Sequence, residues 1–278
     1  MTLSLDIAPL RQALADCPVP LRLCAYARVG STQDVVARAA LGGAPEGLVV
    51  LAGEQLWGRG RAGRSWIAPA GSSLMFSILL RPRRAESEWG TLSLVAGLAL
   101  VEGLALAGGP QARLKWPNDC LCGERKLAGI LSESGAGGTA GRAVVLGVGC
   151  NLVFEGVELP AELRRTATAC DMEGAPVERL GLAESVLRRL ATRYLEWEET
   201  GFAGLREAWL QHAAWLGEEV LAVAGDGPVR GRVAGVSETG ELVLGGAGGQ
   251  IVISAGELTL AGGPSLRRPD QRPPLSRR

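Results

Sequence analysis

Histidine is almost missing from this sequence: its 278 residues hold one, His212. A single histidine excludes facial-triad iron sites and multi-histidine zinc sites. It also leaves most Ser-His-Asp and Cys-His catalytic designs without material. His212 itself falls in Leu205–Leu216, where Leu205, Trp209, Leu210 and Ala213 recur at helical spacing. That pattern marks a helix-surface or helix-end histidine rather than a catalytic base. The chemistry of the chain is therefore expected from Lys, Arg, Asp, Asn or backbone groups.

An excess of charge of either sign is also lacking, with Lys plus Arg at 29 and Asp plus Glu at 29. A general nucleic-acid or anionic-membrane binder needs a net or clustered basic surface, so the balance argues against both while hiding any local cluster. The six cysteines (Cys17, Cys24, Cys120, Cys122, Cys150, Cys170) include no C-x-x-C pair. The nearest spacing, Cys120-x-Cys122, reads as alternation along a strand or a tight turn. No basic stretch followed by a cleavable apolar core opens the chain, so reduced thiols and a cytoplasmic setting are expected. Absent as well are G-x-x-x-x-G-K-[ST] and the HRD and DFG strings, which sets aside P-loop NTPases and protein kinases.

What is present is 47% apolar residue, enough for a sizeable core in one large domain or one domain with a small companion. Trp89–Gly108 imitates a membrane span, being close to the ~20 residues such a helix needs. Glu102 near its middle, frequent glycine and the lack of a positive flank favour a buried amphipathic helix beginning near Ser87 or Glu88. Ser31-Thr32-Gln33-Asp34 reads as a helix start, with a hydroxyl available to cap it, and Gly42-Gly43 as its stop. Strands are expected at Leu48–Ala52, Ser73–Leu80, Arg113–Trp116, Lys126–Glu133 and Arg142–Asn151, the last two forming a hairpin through Gly135–Gly141. Helical spacing returns over Pro176–Thr200 and Ala203–Trp215. Five short strands with Gly, Asp and Pro turns then suggest a small β-barrel: Glu219–Ala224, Val229–Val236, Glu241–Leu244, Gln250–Ile253 and Glu257–Leu260. The composition of Gly262–Arg278 reads as a disordered tail.

Three constellations could carry chemistry. Gly58-Arg59-Gly60-Arg61-Ala62-Gly63-Arg64-Ser65-Trp66 contains a literal G-x-G-x-x-G, but RSWIAPAGSS follows and starts no helix, so the dinucleotide-binding reading fails. Its arginines alternate with glycines and no acid lies among them. Glycine lets backbone N–H groups approach an anion, and each guanidinium offers a fork of donors. The segment is either a flexible anion-gripping loop that orders on its ligand or a solvated basic loop, and Trp66 either a stacking face or an anchor. The second constellation is Arg113-Leu114-Lys115-Trp116-Pro117-Asn118-Asp119 with Lys126-Leu127-Ala128-Gly129-Ile130. Lys126 would stand at the entrance of a buried strand, meeting an anion or snorkelling to water, and Asn118-Asp119 could be only a turn. The third, Gly147-Val148-Gly149-Cys150-Asn151, ends a strand with glycines that allow either ligand approach or a bulge.

Taken in order, Ser31-Thr32-Gln33, Gln55 with Gly58–Trp66, Lys115–Asp119, Lys126–Ile130 and Gly147-x-Gly149-x-Asn151 resemble the biotin–protein ligases over nearly the whole chain to about residue 262. The resemblance implies an α+β fold: a mixed central sheet with flanking helices, of the class II synthetase-like, biotin–lipoate ligase type, then an SH3-like barrel. The implied division is a catalytic domain over 1–215, the barrel over 216–262 and a basic Pro-rich tail over 263–278. It implies that biotin and ATP, with Mg²⁺, give biotinyl-5′-adenylate and pyrophosphate. The biotinyl group then passes to one lysine of a biotin carboxyl carrier domain of acetyl-CoA carboxylase or a related carboxylase. By the same resemblance Ser31, Thr32, Gln33, Gln55, Arg59, Gly60, Arg61, Lys126, Gly129, Gly147 and Gly149 would hold biotin. Arg61, Arg64, Trp66, Lys115, Asn118, Lys126 and Asn151 would lie at the nucleotide. Lys126 and Arg61 would be catalytic, with Asp119 orienting or deprotonating the acceptor amine. No metal ligands are assigned, and a homodimer is left open.

Elementary chemistry agrees with this assignment. Carboxylate attack on the α-phosphate brings two anions together, which cations must offset. The mixed anhydride hydrolyses readily, and an ordering loop that excludes water would protect it. At Leu56-Trp57 family members commonly carry a small polar and then a small residue, so the loop geometry here is expected to differ. About twenty-five residues before the first strand are too few for the DNA-binding domain that some relatives carry, so no repressor role is expected. A lipoate or octanoate ligase, and a non-catalytic anion- or RNA-binding module, are the competing readings. The zero net charge resolves into a cationic loop, a cationic tail with five arginines against Asp270, and an acidic remainder.

Overall fold

Two stretches that read as strands, β5 (Ser73–Leu80) and β9 (Arg142–Asn151), lie side by side in the middle of a seven-stranded sheet. Every residue of β5 is buried, which is why its sequence is predominantly apolar without alternation. The computed structural model describes residues 6–224, 227–246 and 249–261. The expected tail at 263–278 lies outside them.

After a short helix α1 (Ala8–Ala13), strand β1 (Arg22–Val29) runs into α2 (Thr32–Leu41) and returns as β2 (Leu48–Gln55), parallel to β1. A two-stranded hairpin of β3 (Gly58–Arg59) and β4 (Ser65–Trp66) precedes β5. Helix α3 (Leu92–Leu106) leads to β6 (Arg113–Lys115), β7 (Asp119–Cys122) and β8 (Arg125–Ala136), and β9 follows. The sheet order is β1-β2-β5-β9-β8-β7-β6, antiparallel except at β1–β2. A short helix α4 (Ala161–Thr166) and the long α5 (Arg179–Gln211) complete the larger part.

Side chains alternate between the two faces of this sheet. Val49, Leu51, Ile78 and Leu80 join α3 and α5 in one core, whereas Val50, Leu79 and Val145 pack under α2 with Val36 and Ala40. The expected amphipathic character of α3 is corrected here, because eleven of its fifteen residues are buried and no polar face exists. Glu102, the one charge in that run, is paired with Arg193 of α5 at 2.5 Å. The two helices cross closely at Gly103, where an added Cβ would stand 2.7 Å from a Val186 methyl. Two helices separated near residue 201 form one element broken at Gly201, whose φ of +69° suits glycine.

Strands β10 (Glu219–Ala224), β11 (Gly227–Val236), β12 (Leu242–Gly246), β13 (Gly249–Ile253) and β14 (Glu257–Leu260) form a separate antiparallel sheet. Its order is β13-β12-β11-β10-β14, with a bulge between Val233 and Gly235. Val220, Val233, Leu244 and Leu258 of this sheet belong to the same buried cluster as α3 and α5. The Trp116 indole N–H donates to the Gly240 carbonyl at 3.0 Å across the junction.

Candidate active site

The register of the large sheet places small residues where the N-terminus of α2 meets it. Ser77 of β5 pairs with Gly147, which pairs with Leu131; the next row on that face is Met75, Gly149, Gly129 and Asp119 across four strands. Pairing is uninterrupted from Arg142 to Cys150, so the glycines are not a bulge. They are where the Trp66 ring lies against backbone: a Cβ on Gly149 would stand 2.6 Å from Trp66 Cε2, and one on Gly129 3.2 Å from Cζ3.

The resulting cavity, about 140 Å³, brings together Ser31, Thr32, Gln33, Gln55, Arg59, Gly60, Arg61, Arg64, Trp66, Asn118, Lys126, Gly129, Gly147 and Gly149. Its polar end is a buried network. The Thr32 N–H donates to Gln55 Oε1 at 2.7 Å, and the Thr32 hydroxyl meets the Ser77 hydroxyl at 2.8 Å. Ser77 donates to Gln33 Oε1, and Gln33 Nε2 to the Val145 carbonyl. Gln55 thus caps the helix where a hydroxyl was expected to. The Ser31 hydroxyl makes no capping bond and, with Trp66 Nε1, is a buried polar atom without a partner among the described residues. Ser77 was missed in the sequence, although a hydroxyl in the middle of SLMFSILL was its signal.

Lys126 reaches this cavity through an irregularity. Leu121 pairs with Lys126 but Cys120 with Ala128, so Leu127 is the extra residue of a β-bulge. Leu127 and Ala128 both enter the core, and the alternation is reset so that Lys126 shares the cavity with Gly129 and Leu131. Its Nζ lies 2.5 Å from Asp119 Oδ1 and 5.7 Å from the centre of the Trp66 ring. Asp119 Oδ2 also meets Lys115 Nζ at 3.3 Å. Burial raises the Asp119 pKa, but the charges of Lys126 and Lys115, with their hydrogen bonds, outweigh it and hold the carboxyl below its ordinary value. Stability from a carboxyl so depressed is complete above the ordinary carboxylate range and is lost as pH falls through the lowered value. Asp119→Asn is therefore expected to cost on the order of 2 kcal/mol at neutral pH by leaving two lysines without their partner. The difference from wild type should shrink in acid, as urea denaturation at both pH values would report.

The arginine segment is the hairpin β3–β4, tightened at Gly58, where a Cβ would stand 2.4 Å from the Trp66 carbonyl oxygen. Its arginines are held by acids distant in sequence: Arg59 by Asp34 at 2.8 Å and Glu133 at 2.5 Å, and Arg64 by Glu257 of β14 at 2.5 Å. Such exposed pairs contribute at most about 1 kcal/mol each and exchange readily for another anion. Arg61 donates to Asn118 Oδ1 at 3.1 Å, and Asn118 Nδ2 to the Ile130 carbonyl at 2.7 Å. Trp57, the bulky departure, is 73% exposed and lies over Gly30. A second cavity of about 390 Å³ shares Arg61, Arg64, Asn118 and Lys126 with the first and adds Lys115 and Asp119. Asn151 lines neither. It is buried, donates to the Thr168 carbonyl and accepts from Ser73.

Residues 25–151 match the biotin/lipoate A/B protein ligase family and residues 215–259 the biotin protein ligase C-terminal domain. The chain is 40% identical to a biotin–[acetyl-CoA-carboxylase] ligase of Paracoccus denitrificans, over 77% of this chain and 90% of that one. It is 36% identical to the ligase of the same name from Mycobacterium tuberculosis, over 85% and 88%. Among solved structures, the biotin protein ligase of Aquifex aeolicus in complex with biotin and ATP superposes with a TM-score of 0.75. It is 30% identical, covering 86% of this chain and 98% of that one.

Proposed function

The chain belongs to the biotin protein ligase family, and from that premise we infer the following assignment of chemistry to residues. The enzyme is a biotin–protein ligase that uses ATP to activate biotin and passes it to a carrier lysine. The observation that carries the residue assignment is the meeting of a small polar cavity and a larger cationic one at Lys126, Arg61 and Asn118. Biotin occupies the first cavity. Thr32, Gln55 and the unpartnered Ser31 hydroxyl offer donors and acceptors suited to a ureido ring, whereas a dithiolane or octanoyl tail would leave the Ser31 hydroxyl unpaired, at a cost of about 1–3 kcal/mol. That polar end favours biotin over lipoate.

In the first step a carboxylate oxygen of biotin attacks the α-phosphorus of ATP, the bond to the bridging oxygen breaks, and pyrophosphate leaves. Lys126 and Arg61 stand where the two anions converge and offset their repulsion. Magnesium enters with the nucleotide: among the described residues no cluster of three His, Cys, Asp or Glu stands ready for a metal ion, and no step is assigned to a protein-held metal. In the second step the acceptor amine, having lost a proton, attacks the carbonyl of the mixed anhydride and AMP leaves. A carboxyl held as low as that of Asp119 is a weak base, which supports orienting the amine over deprotonating it. The acceptor is assigned to a biotin carboxyl carrier domain of acetyl-CoA carboxylase or a related enzyme. The free state of all six cysteines suits a reducing cytoplasm. The division into a catalytic part to residue 215 and a C-terminal part from 216 belongs to the same reading.

The test is ATP–pyrophosphate exchange dependent on biotin, followed by transfer of labelled biotin to a carrier domain. Exchange is expected with biotin and not without it, and lipoate should compete poorly. Exchange driven equally by lipoate, or none by folded protein, would overturn the assignment.

A further inference from the structure

The hairpin β3–β4 forms one side of the first cavity through Arg59, Gly60, Arg61 and Ser65. An indole stands at each of its ends: Trp57 where the chain has left β2, and Trp66 where it turns back toward β5. Each ring lies on glycine. Trp66 covers Gly149 and Gly129, and Trp57 covers Gly30, where an added Cβ would stand 3.1 Å from Cε3 and 3.4 Å from Cζ3. Gly30 is not in the left-handed region, so it is the close ring, rather than the turn, that favours a residue without Cβ there.

Backbone bonds reinforce the contact. The ladder of β1 and β2 runs on past Val29 and Gln55, with the Leu56 N–H donating to the Val29 carbonyl at 3.0 Å and the Trp57 N–H to the Gly30 carbonyl at 2.8 Å. Gly30 leads directly into Ser31, Thr32 and Gln33, which line the same cavity. The start of the hairpin is thus tied to the start of α2. The other ties of the hairpin are of a different kind. Arg59 is held by Asp34 and Glu133, and Arg64 by Glu257, in exposed pairs that the anions of a substrate can replace. The ring and backbone contacts at the two ends do not compete with anions. They can hold the hairpin while its arginines change partners.

We propose that Trp57 is a positioning residue that fastens the arginine hairpin over the first cavity before biotin arrives, with Gly30 as its seat. The identity of the ligand rests on the ligase reading, whereas the fastening is a property of the free protein. A site formed in only a fraction of molecules binds with its Kd raised by the inverse of that fraction. Trp57→Ala is expected to leave the hairpin closed in about a tenth of molecules, and so to raise the Kd for biotin about tenfold. At saturating biotin and ATP every hairpin is closed, so kcat for exchange should stay within about twofold of wild type. Trypsin cleavage after Arg59, Arg61 and Arg64 of the free protein, followed by mass spectrometry, should quicken about tenfold because it tracks the open population. Biotin should suppress it. Trp57→Phe should restore most of both properties. Gly30→Ala, which pushes the ring off its seat, should reproduce the loss in weaker form. Gly30→Ala combined with Trp57→Ala should be no worse than Trp57→Ala alone, since the two changes remove one contact. The ring is 73% exposed, so its loss empties no core, and circular dichroism checks the fold. Unchanged cleavage in folded Trp57→Ala, a fall in kcat with Kd unchanged, or full additivity in the double variant would overturn the proposal. Biotin-dependent exchange by the wild-type enzyme is measured separately. Its absence counts against the ligase reading, while cleavage of the free protein, which needs no ligand, still decides whether Trp57 holds the hairpin.

Discussion

Lys126→Ala should slow biotin-dependent ATP–pyrophosphate exchange by about 10²–10³-fold, the usual cost of removing one preorganised partner of developing charge. The reaction joins a carboxylate to a phosphate, so the loss is expected in kcat more than in either KM. The ammonium is already in place, held by Asp119 at 2.5 Å and aimed by the bulge at Leu127. Lys126→Arg should recover only part of the rate, because a planar fork cannot replace a point charge at the same spot. Folding should survive in both variants, since Asp119 keeps Lys115 as a partner. Exchange at the wild-type rate in folded Lys126→Ala would remove Lys126 from the mechanism.

Gly149→Ala is the second large effect. The new methyl would meet Trp66 Cε2 at 2.6 Å, Cζ2 at 2.8 Å and Nε1 at 3.0 Å. A strand backbone cannot retreat, and the ring is anchored by the pairing of Trp66 with Gly58. The ring must therefore turn into the smaller cavity. Overpacking of this kind costs about 1–3 kcal/mol, and most of it should appear as a biotin Kd raised tenfold or more. Titration calorimetry would measure this, with circular dichroism reporting the fold. Gly135→Ala, where a methyl meets nothing within 4 Å, is the control expected to behave as wild type. An unchanged Kd in Gly149→Ala would mean that Trp66 does not border the biotin site.

Where local pattern and burial agree, the structure was legible in the sequence. Ser73–Leu80 is apolar apart from its two serines because it is covered on both faces, and the turn residues after Gly217 mark the strands of the second sheet closely. Strand β1 was expected after about twenty-five residues but received no bounds, because it is a sheet edge that leaves Arg22, Tyr26 and Arg28 at the surface, with no clean alternation. Strand β7 carries the Cys120-x-Cys122 spacing that reads as a strand or a tight turn, and the turn-like composition of Pro117-Asn118-Asp119 left the two undivided. At the site, the types of residue were readable and their partners were not. Nothing local links Arg64 to Glu257 or Arg59 to Glu133, since sheet register and chain crossing create those pairs. The bulge at Leu127 is equally silent in sequence, because one extra residue in a strand changes facing without changing composition.

The buried cluster that runs from α3 and α5 into the five-stranded sheet has a thermodynamic consequence. Two units that each own a core can melt separately. Two that share one lose their apolar contacts together, because exposing Leu244 or Leu258 also strips neighbours from the helices. The C-terminal sheet is thus part of the cooperative unit that carries Lys126, rather than an appendage of it. Its loosening and the loosening of the catalytic centre are then a single fluctuation, felt at both ends of the chain.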